Sequence, residues 1–171
     1  MPQRTDIFDL GRLGLSSGEG RRIVLEVVLD AIELAGQRYS VKGGSVPVTL
    51  DAARTTSGYS LRLRYEAPLE GPCMRCLEDA DESFSIDVRE VDQPGGGDDL
   101  QSPYLDENEL DVRRWARDAL ALELPTQIVC REECLGLCAV CGENLNEAGP
   151  EHHHEAAPDP RWAKLRELKL D

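Results

Sequence analysis

The chain has 171 residues, with 33 acidic against 19 basic side chains and a formal net charge of −14. Aromatics make up only 5% and mean hydropathy is −0.41, so a single domain of this length has a modest apolar core that cross-linking would help to hold. The charge disfavours a nucleic-acid reader acting through overall attraction and favours a basic protein partner. With no apolar stretch of signal or membrane-spanning length, the expectation is a cytoplasmic protein with no membrane partner and no small-molecule substrate.

Residues 5–20 mix apolar side chains with Gly and Ser and read as an edge strand followed by a loop. Residues 22–29 (RIVLEVVL) are β-branched and apolar, the pattern of a strand, with a helical alternative for the run on to Leu34. Val46, Val48 and Leu50 then alternate with polar neighbours. After a Thr55-Thr56-Ser57-Gly58 turn, Leu61, Leu63, Tyr65, Ala67 and Leu69 do the same, the period of a half-buried antiparallel strand. Phe84, Ile86 and Val88 alternate again, so Cys73-Met74-Arg75-Cys76 falls in the connection between two neighbouring strands.

From 92 to 108 the composition turns to Pro, Gly, Asp and Glu, a mobile linker or long acidic loop. A helix is expected over about 109–124, where Val112, Trp115, Ala116, Ala119, Leu120 and Leu124 recur at helical spacing. Asn108 or Asp111 is its cap and Pro125 its stop. Trp115 reads as core. The cysteine-rich stretch follows, then turn-rich residues 144–158 and a short basic helix over 160–170. The division expected is residues 1–125 as a β-rich domain and 126–171 as a Cys/His-rich, metal-binding segment with the C-terminal helix packed on it.

The six cysteines and the His152-His153-His154 run carry the chemistry. Two-residue spacing lets one tight turn aim two sulfurs at a single point, as a tetrahedral ion requires. Cys73-x2-Cys76 has this spacing, and so does Cys138-x2-Cys141, which is followed by Gly142. A redox dithiol shares it, but would open a helix after a strand in a βαβ unit, a context that neither pair has. Zinc is favoured over an iron–sulfur cluster or inert thiols. Cys134-x3-Cys138-x2-Cys141 also matches the cluster motif of radical S-adenosylmethionine enzymes, but too little chain follows for their barrel and Val140 stands where that motif has an aromatic.

The preferred grouping closes a long loop: Cys73, Cys76, Cys130 and Cys134 form one site. Cys138, Cys141, His152 and His154 form a second, local one, with a metal-free histidine run as its alternative. His152 and His154 are preferred because alternate side chains of an extended segment point the same way. One or two zinc ions are thus expected, in closed sites that suit structure more than catalysis. Arg21-Arg22, Arg113-Arg114 with Arg117, and the basic residues Arg161, Lys164, Arg166 and Lys169 read as solvated faces or intrahelical pairs.

Several ordered motifs resemble the YceD family. They are Gly71-Pro72-Cys73-Met74-Arg75-Cys76-Leu77, Leu122-Glu123-Leu124-Pro125, the run from Cys130 through Cys141-Gly142 to Asn146, and Asp159-Pro160-Arg161-Trp162-Ala163. The resemblance covers essentially the whole chain. It implies a role in accumulation of large-subunit ribosomal RNA, in bacteria and chloroplasts, by assembly and not by a known catalytic activity. Family genes commonly neighbour the gene of a small basic large-subunit ribosomal protein. Many members end the cysteine segment with Cys-x-Cys; here Glu151-His-His-His-Glu155 stands there, which supports histidine as a substitute ligand.

The expected fold is α+β: a mainly antiparallel sheet, open or barrel-like, with one main helix and a zinc-stapled C-terminal segment. The expected function is a non-enzymatic ribosome-assembly factor whose partners are a basic large-subunit ribosomal protein and/or a ribosomal RNA precursor. Arg75, and Arg161 with Trp162, are candidates for that contact, with bracing and core packing as the structural alternatives. The rival reading is a zinc-dependent enzyme that processes or modifies ribosomal RNA, with Glu132, Glu133 or Glu143 as base.

Overall fold

The computed structural model describes residues 3–4, 6–149 and 151–154. The helix expected over 160–170, and with it Arg161 and Trp162, lies outside the described residues. Short strands β1 (Gln3–Arg4) and β2 (Ile7–Asp9) lead into a 3-10 turn at Leu10–Leu13, followed by β3 (Gly20–Val28), β4 (Ile32–Leu34) and β5 (Gln37–Val41). Three longer strands come next, β6 (Ser45–Arg54), β7 (Tyr59–Pro72) and β8 (Asp79–Asp92). After a second 3-10 turn at Asp98–Leu100 come β9 (Leu105–Asp106), β10 (Glu109–Asp111), helix α1 (Val112–Glu123) and one turn of helix, α2 (Leu145–Ala148).

The alternation seen in the sequence sets which face of the main sheet is buried. Leu25 and Val27 from β3, Val46, Val48 and Leu50 from β6, and Leu61, Leu63 and Tyr65 from β7 all point inward, while their neighbours face out. β7 is the spine. Along one edge it pairs with β8 over its full length, from Tyr59↔Asp92 to Pro72↔Asp79. Its first half also pairs with β6 and its last residues with β5, so the sheet splits around the middle of the strand.

Among the described residues no pairing joins β8 to β1 or β4, and the seven-stranded sheet does not close into a barrel. Instead α1 lies against both β3 and β8 and fills the opening between them. Its Trp115 and Leu120 are buried there, and the Tyr65 hydroxyl donates to the Ala116 carbonyl. A separate three-stranded sheet, β2-β10-β9, leads the chain into the helix.

Three local features depart from the sequence reading. The strand read at 22–29 is present as β3, but the run on to Leu34 is not helical: it bends, and 32–41 form a hairpin whose turn residues Ala35 and Gly36 both have positive φ. Such a two-residue turn matches the twist of paired strands. The helix begins at Val112, with Asp111 accepting from the Arg114 N–H at 2.9 Å, because β10 occupies the residues just before it. Residues 92–108 are tethered: Ser102 donates its N–H to the buried Asp92 carboxylate, and Tyr104 stacks on Trp115.

Gly71, next to the first cysteine pair, has a steric reason. A Cβ there would stand 2.4 Å from the Tyr39 ring. The bare backbone lets Tyr39 pass beneath the hairpin end and donate its hydroxyl to the Pro72 carbonyl at 2.7 Å.

Candidate metal centre

Residues 73–78 form the tip of the β7–β8 hairpin. The turn is closed by the Cys73 N–H donating to the Glu78 carbonyl at 2.7 Å and the Leu77 N–H donating to the Cys73 carbonyl at 3.0 Å. The Arg75 N–H points at the Cys73 sulfur, 3.4 Å away. This conformation turns both sulfurs the same way and surrounds them with amide hydrogens, which stabilise thiolate charge.

The other half arrives from behind the helix. After α1 the chain is extended at Leu124, the Met74 N–H donates to the Ile128 carbonyl at 2.9 Å, and Ile128 is buried. That strand-like contact delivers Cys130 and Cys134 to the hairpin tip. Cys76 and Cys130, 54 residues apart, have sulfurs 3.6 Å apart; Cys73 and Cys134 have sulfurs 3.8 Å apart. All four ligand atoms lie within 4.8 Å of one another.

Two sulfurs each about 2.3 Å from a tetrahedral ion stand about 3.8 Å apart, so the four thiols fit a single divalent ion. Ligands of a multi-iron cluster would be held farther apart by the cluster between them. Charge points the same way. Burial pushes the Cys73 thiol up, but N–H groups of Cys76, Cys130 and Arg75 outweigh it and hold the thiol down at about 6. The Asn146 amide lowers Cys134, whereas burial raises Cys130 and pushes Cys76 up to about 12. Two sulfurs that favour the anion beside two that hold protons would exchange those two protons for one divalent cation at constant charge.

Cys138–Glu143 repeats the first turn. The Cys138 N–H donates to the Glu143 carbonyl at 2.8 Å, the Gly142 N–H to the Cys138 carbonyl at 2.8 Å, and the Val140 N–H points at the Cys138 sulfur from 3.4 Å. Backbone N–H of Cys141, then His152, hold Cys138 down at about 6; the Cys138 contact in turn raises His152. His152 Nε2 lies 3.6 Å from the Cys141 sulfur and 3.2 Å from His154 Nε2. Cys138, Cys141, His152 and His154 form the second group with all ligand atoms within 4.8 Å. His153 turns away to the Glu151 carbonyl. This second group is more exposed than the first.

The structure thus brings the eight expected ligand residues together in two sets of four. It places the other singled-out residues differently. Arg75 uses its guanidinium to clasp the incoming segment, donating to the Cys134 and Glu132 carbonyls and to Gln127 Oε1. Glu143 accepts from His152 Nδ1 at 3.1 Å, an arrangement that orients a ligating imidazole, while Glu132 and Glu133 are exposed on the loop. Arg113 ties α1 to Asp6 and Asp30, and Arg114 and Arg117 lie beside Asp118.

Asn146 is a residue that sequence reasoning passed over. Its Oδ1 accepts the Leu135 N–H at 2.9 Å and its Nδ2 donates to the Cys134 sulfur at 3.5 Å, so a side chain beyond the second turn braces a ligand of the first site. Leu137 N–H to the Arg75 carbonyl and Leu145 N–H to the Gly136 carbonyl complete the link between the two sites. In the sequence Asn146 ends the motif run that begins at Cys130 and follows the helix cap Asn144, and neither signal identifies this contact.

The comparisons with known proteins fit this layout. An uncharacterized protein of Mycobacterium tuberculosis is 33% identical over 135 residues, which are 74% of this chain and 63% of that protein. The chain therefore spans less than two thirds of the length of the first curated relatives it matches. An uncharacterized protein of Mycobacterium leprae is 26% identical over 95% of this chain and 76% of its own length. A maize protein named large ribosomal RNA subunit accumulation protein YCED homolog 1, chloroplastic, is 34% identical over 44% of this chain and 22% of its own length. No solved structure matches the chain. The model of the family described as large ribosomal RNA subunit accumulation protein YceD matches residues 61–169, from the hairpin through both cysteine groups, and the chain belongs to that family.

Proposed function

We propose that this chain supports the accumulation of large-subunit ribosomal RNA as a non-enzymatic assembly factor. In this reading one zinc ion is held by Cys73, Cys76, Cys130 and Cys134, and a second by Cys138, Cys141, His152 and His154. Zinc supplies cross-linking: it would staple the hairpin tip to the segment behind the helix and close a loop of more than 50 residues, which removes conformational freedom from the unfolded chain. The observation that carries the reading is the family match together with two sets of four convergent donors, which leave a tetrahedral ion no open position for substrate or water. That closure, and the engagement of Glu143 with His152, weigh against the zinc-dependent RNA-processing enzyme.

The partner in this proposal is a basic large-subunit ribosomal protein, drawn by a net charge of −14. The test joins a cell and a tube. Deletion of the gene lowers mature large-subunit ribosomal RNA relative to small-subunit RNA, and full-length protein with intact cysteines restores it. Capture of ribosomal precursors by the purified, metal-loaded chain persists after nuclease treatment. An unchanged subunit ratio in the deletion strain sinks the assembly role; loss of all capture after nuclease sinks the protein partner.

A further inference from the structure

The outer face of the main sheet carries a feature that the metal sites do not explain. Register places three cross-strand rows there. Gly20, Ala53, Ser60 and Val91 form the first, and Arg22, Asp51, Arg62 and Arg89 the second. Val24, Thr49, Arg64 and Asp87 form the third. Gly20, Ala53 and Ser60 of the first row floor a shallow depression of about 470 Å³, which Arg21, Arg22, Arg62 and Arg89 wall together with Asp51.

Four guanidiniums thus meet two carboxylates. Asp51 is shared by Arg22 at 2.6 Å and Arg64 at 2.7 Å, and Asp87 takes Arg62 at 2.7 Å. Arg89 has no ion pair among the described residues, yet it stands directly opposite Arg62. Like charges facing each other across strands destabilise a sheet. The Arg64 Nε is buried and finds no acceptor among the described residues. In a chain this acidic, a depression lined by Arg21, Arg22, Arg62 and Arg89 against the single carboxylate of Asp51 suits an anion.

The geometry points to this face as a binding site for the phosphodiester backbone of single-stranded RNA. Guanidinium forks match phosphate oxygens two at a time. From β3 to β8 the arginine row spans about 14 Å, enough to meet more than one phosphate of a strand. Among the described residues this face exposes no aromatic ring on which bases could stack, so binding is to the backbone and indifferent to base identity. This deepens the ribosomal reading by naming the surface that meets RNA, and it rests on that reading only for the identity of the polyanion.

The experiment is fluorescence anisotropy of labelled oligouridylate and oligoadenylate against the metal-loaded full chain across a salt series. Both RNAs bind alike, with Kd on the order of 10⁻⁵ M at low salt and a logarithmic salt slope of about −0.7 for each phosphate met. Arg89→Gln weakens binding about fivefold and flattens the slope by about one contact, whereas Arg117→Gln, which removes the same charge from the helix, does not. RNA binding unchanged in Arg89→Gln, or weakened equally in Arg117→Gln, overturns the assignment. So does competition by polyaspartate as strong as by RNA, which would mark an acidic-protein surface. Face-dependent RNA binding in a protein whose deletion leaves ribosomal RNA levels unchanged would instead strike the ribosomal reading and leave this site standing.

Discussion

Leu77 and Gly142 occupy the same position in two copies of one turn, and both have a left-handed backbone, with φ of 65° and 76°. Each follows the second cysteine of its pair, and each donates its N–H to the carbonyl of the first. The turn demands this conformation, and a side chain there costs about 1–2 kcal/mol.

Replacing Gly142 with Ala therefore weakens the second site by about 1 kcal/mol, or about fivefold in metal affinity, and leaves the first unchanged. Leu77→Gly is close to neutral, because relief of strain is offset by the greater freedom of glycine in the unfolded chain. Competition with a chromophoric chelator reads both; an equal loss at the two sites in Gly142→Ala would refute the local account.

The two candidate metal sites differ in what an ion at each would hold together. Cys73→Ser removes one ion and places an unpaired hydroxyl at a fully buried position, between core strands and the segment after the helix. Destabilisation of at least about 4 kcal/mol is expected in thermal or denaturant unfolding. Cys141→Ser also removes one ion, but at an exposed residue, and leaves the unfolding of the sheet nearly unaltered. Elemental analysis with calorimetry separates them.

Asn146→Ala deletes the amide that reaches the Cys134 sulfur without touching a ligand. Outer contacts of this kind are worth about 10–100-fold in metal affinity. A tenfold loss at the first site, with the second ion bound as before, is the expected titration result; loss only at the second site would show that Asn146 serves only the Asn144 cap, to which its amide also donates.

Acid should act on the arginine face. Hydrogen bonding from Arg22, then Arg64, holds Asp51 below the usual carboxylate range despite burial, and Arg62 does the same for Asp87. A depressed folded pKa means stability that is present above the unfolded value, about 3.9, and is lost as pH falls through the folded value. Thermal unfolding of the parent should thus decline below about pH 4. Asp51→Asn should be less stable at neutral pH and decline less steeply; parallel curves would remove the pairs as a source of acid sensitivity.

The parts legible in the sequence are those written over short distances. Cys73-x2-Cys76 and Cys138-x2-Cys141 announce their turns because six residues suffice to build each one. Leu61 to Leu69 and Phe84 to Val88 announce the hairpin because alternation is local. The arginine row was hidden because Arg22, Arg62 and Arg89 become neighbours only through the registers of four strands. The sheet's failure to close was equally hidden, since it depends on α1 filling the space beside β3 and β8. Arg75 shows a different limit: its position in the motif was evident, but the carbonyls that occupy it come from a segment more than 50 residues away.

The unbroken pairing of β7 with β8 makes a ruler. One end carries the first cysteine cluster; Arg62 and Arg89 sit ten residues back along the same two strands, about 33 Å away by strand rise. The first cysteine cluster and the arginine row are thereby kept at one separation, set by strand length and not by a flexible connection. Adding two residues to each strand between Tyr65 and Leu69, with their register partners, preserves every side-chain facing while moving the ends about 7 Å farther apart. A protein so lengthened should take up metal and bind single-stranded RNA as before, with the two ends farther apart.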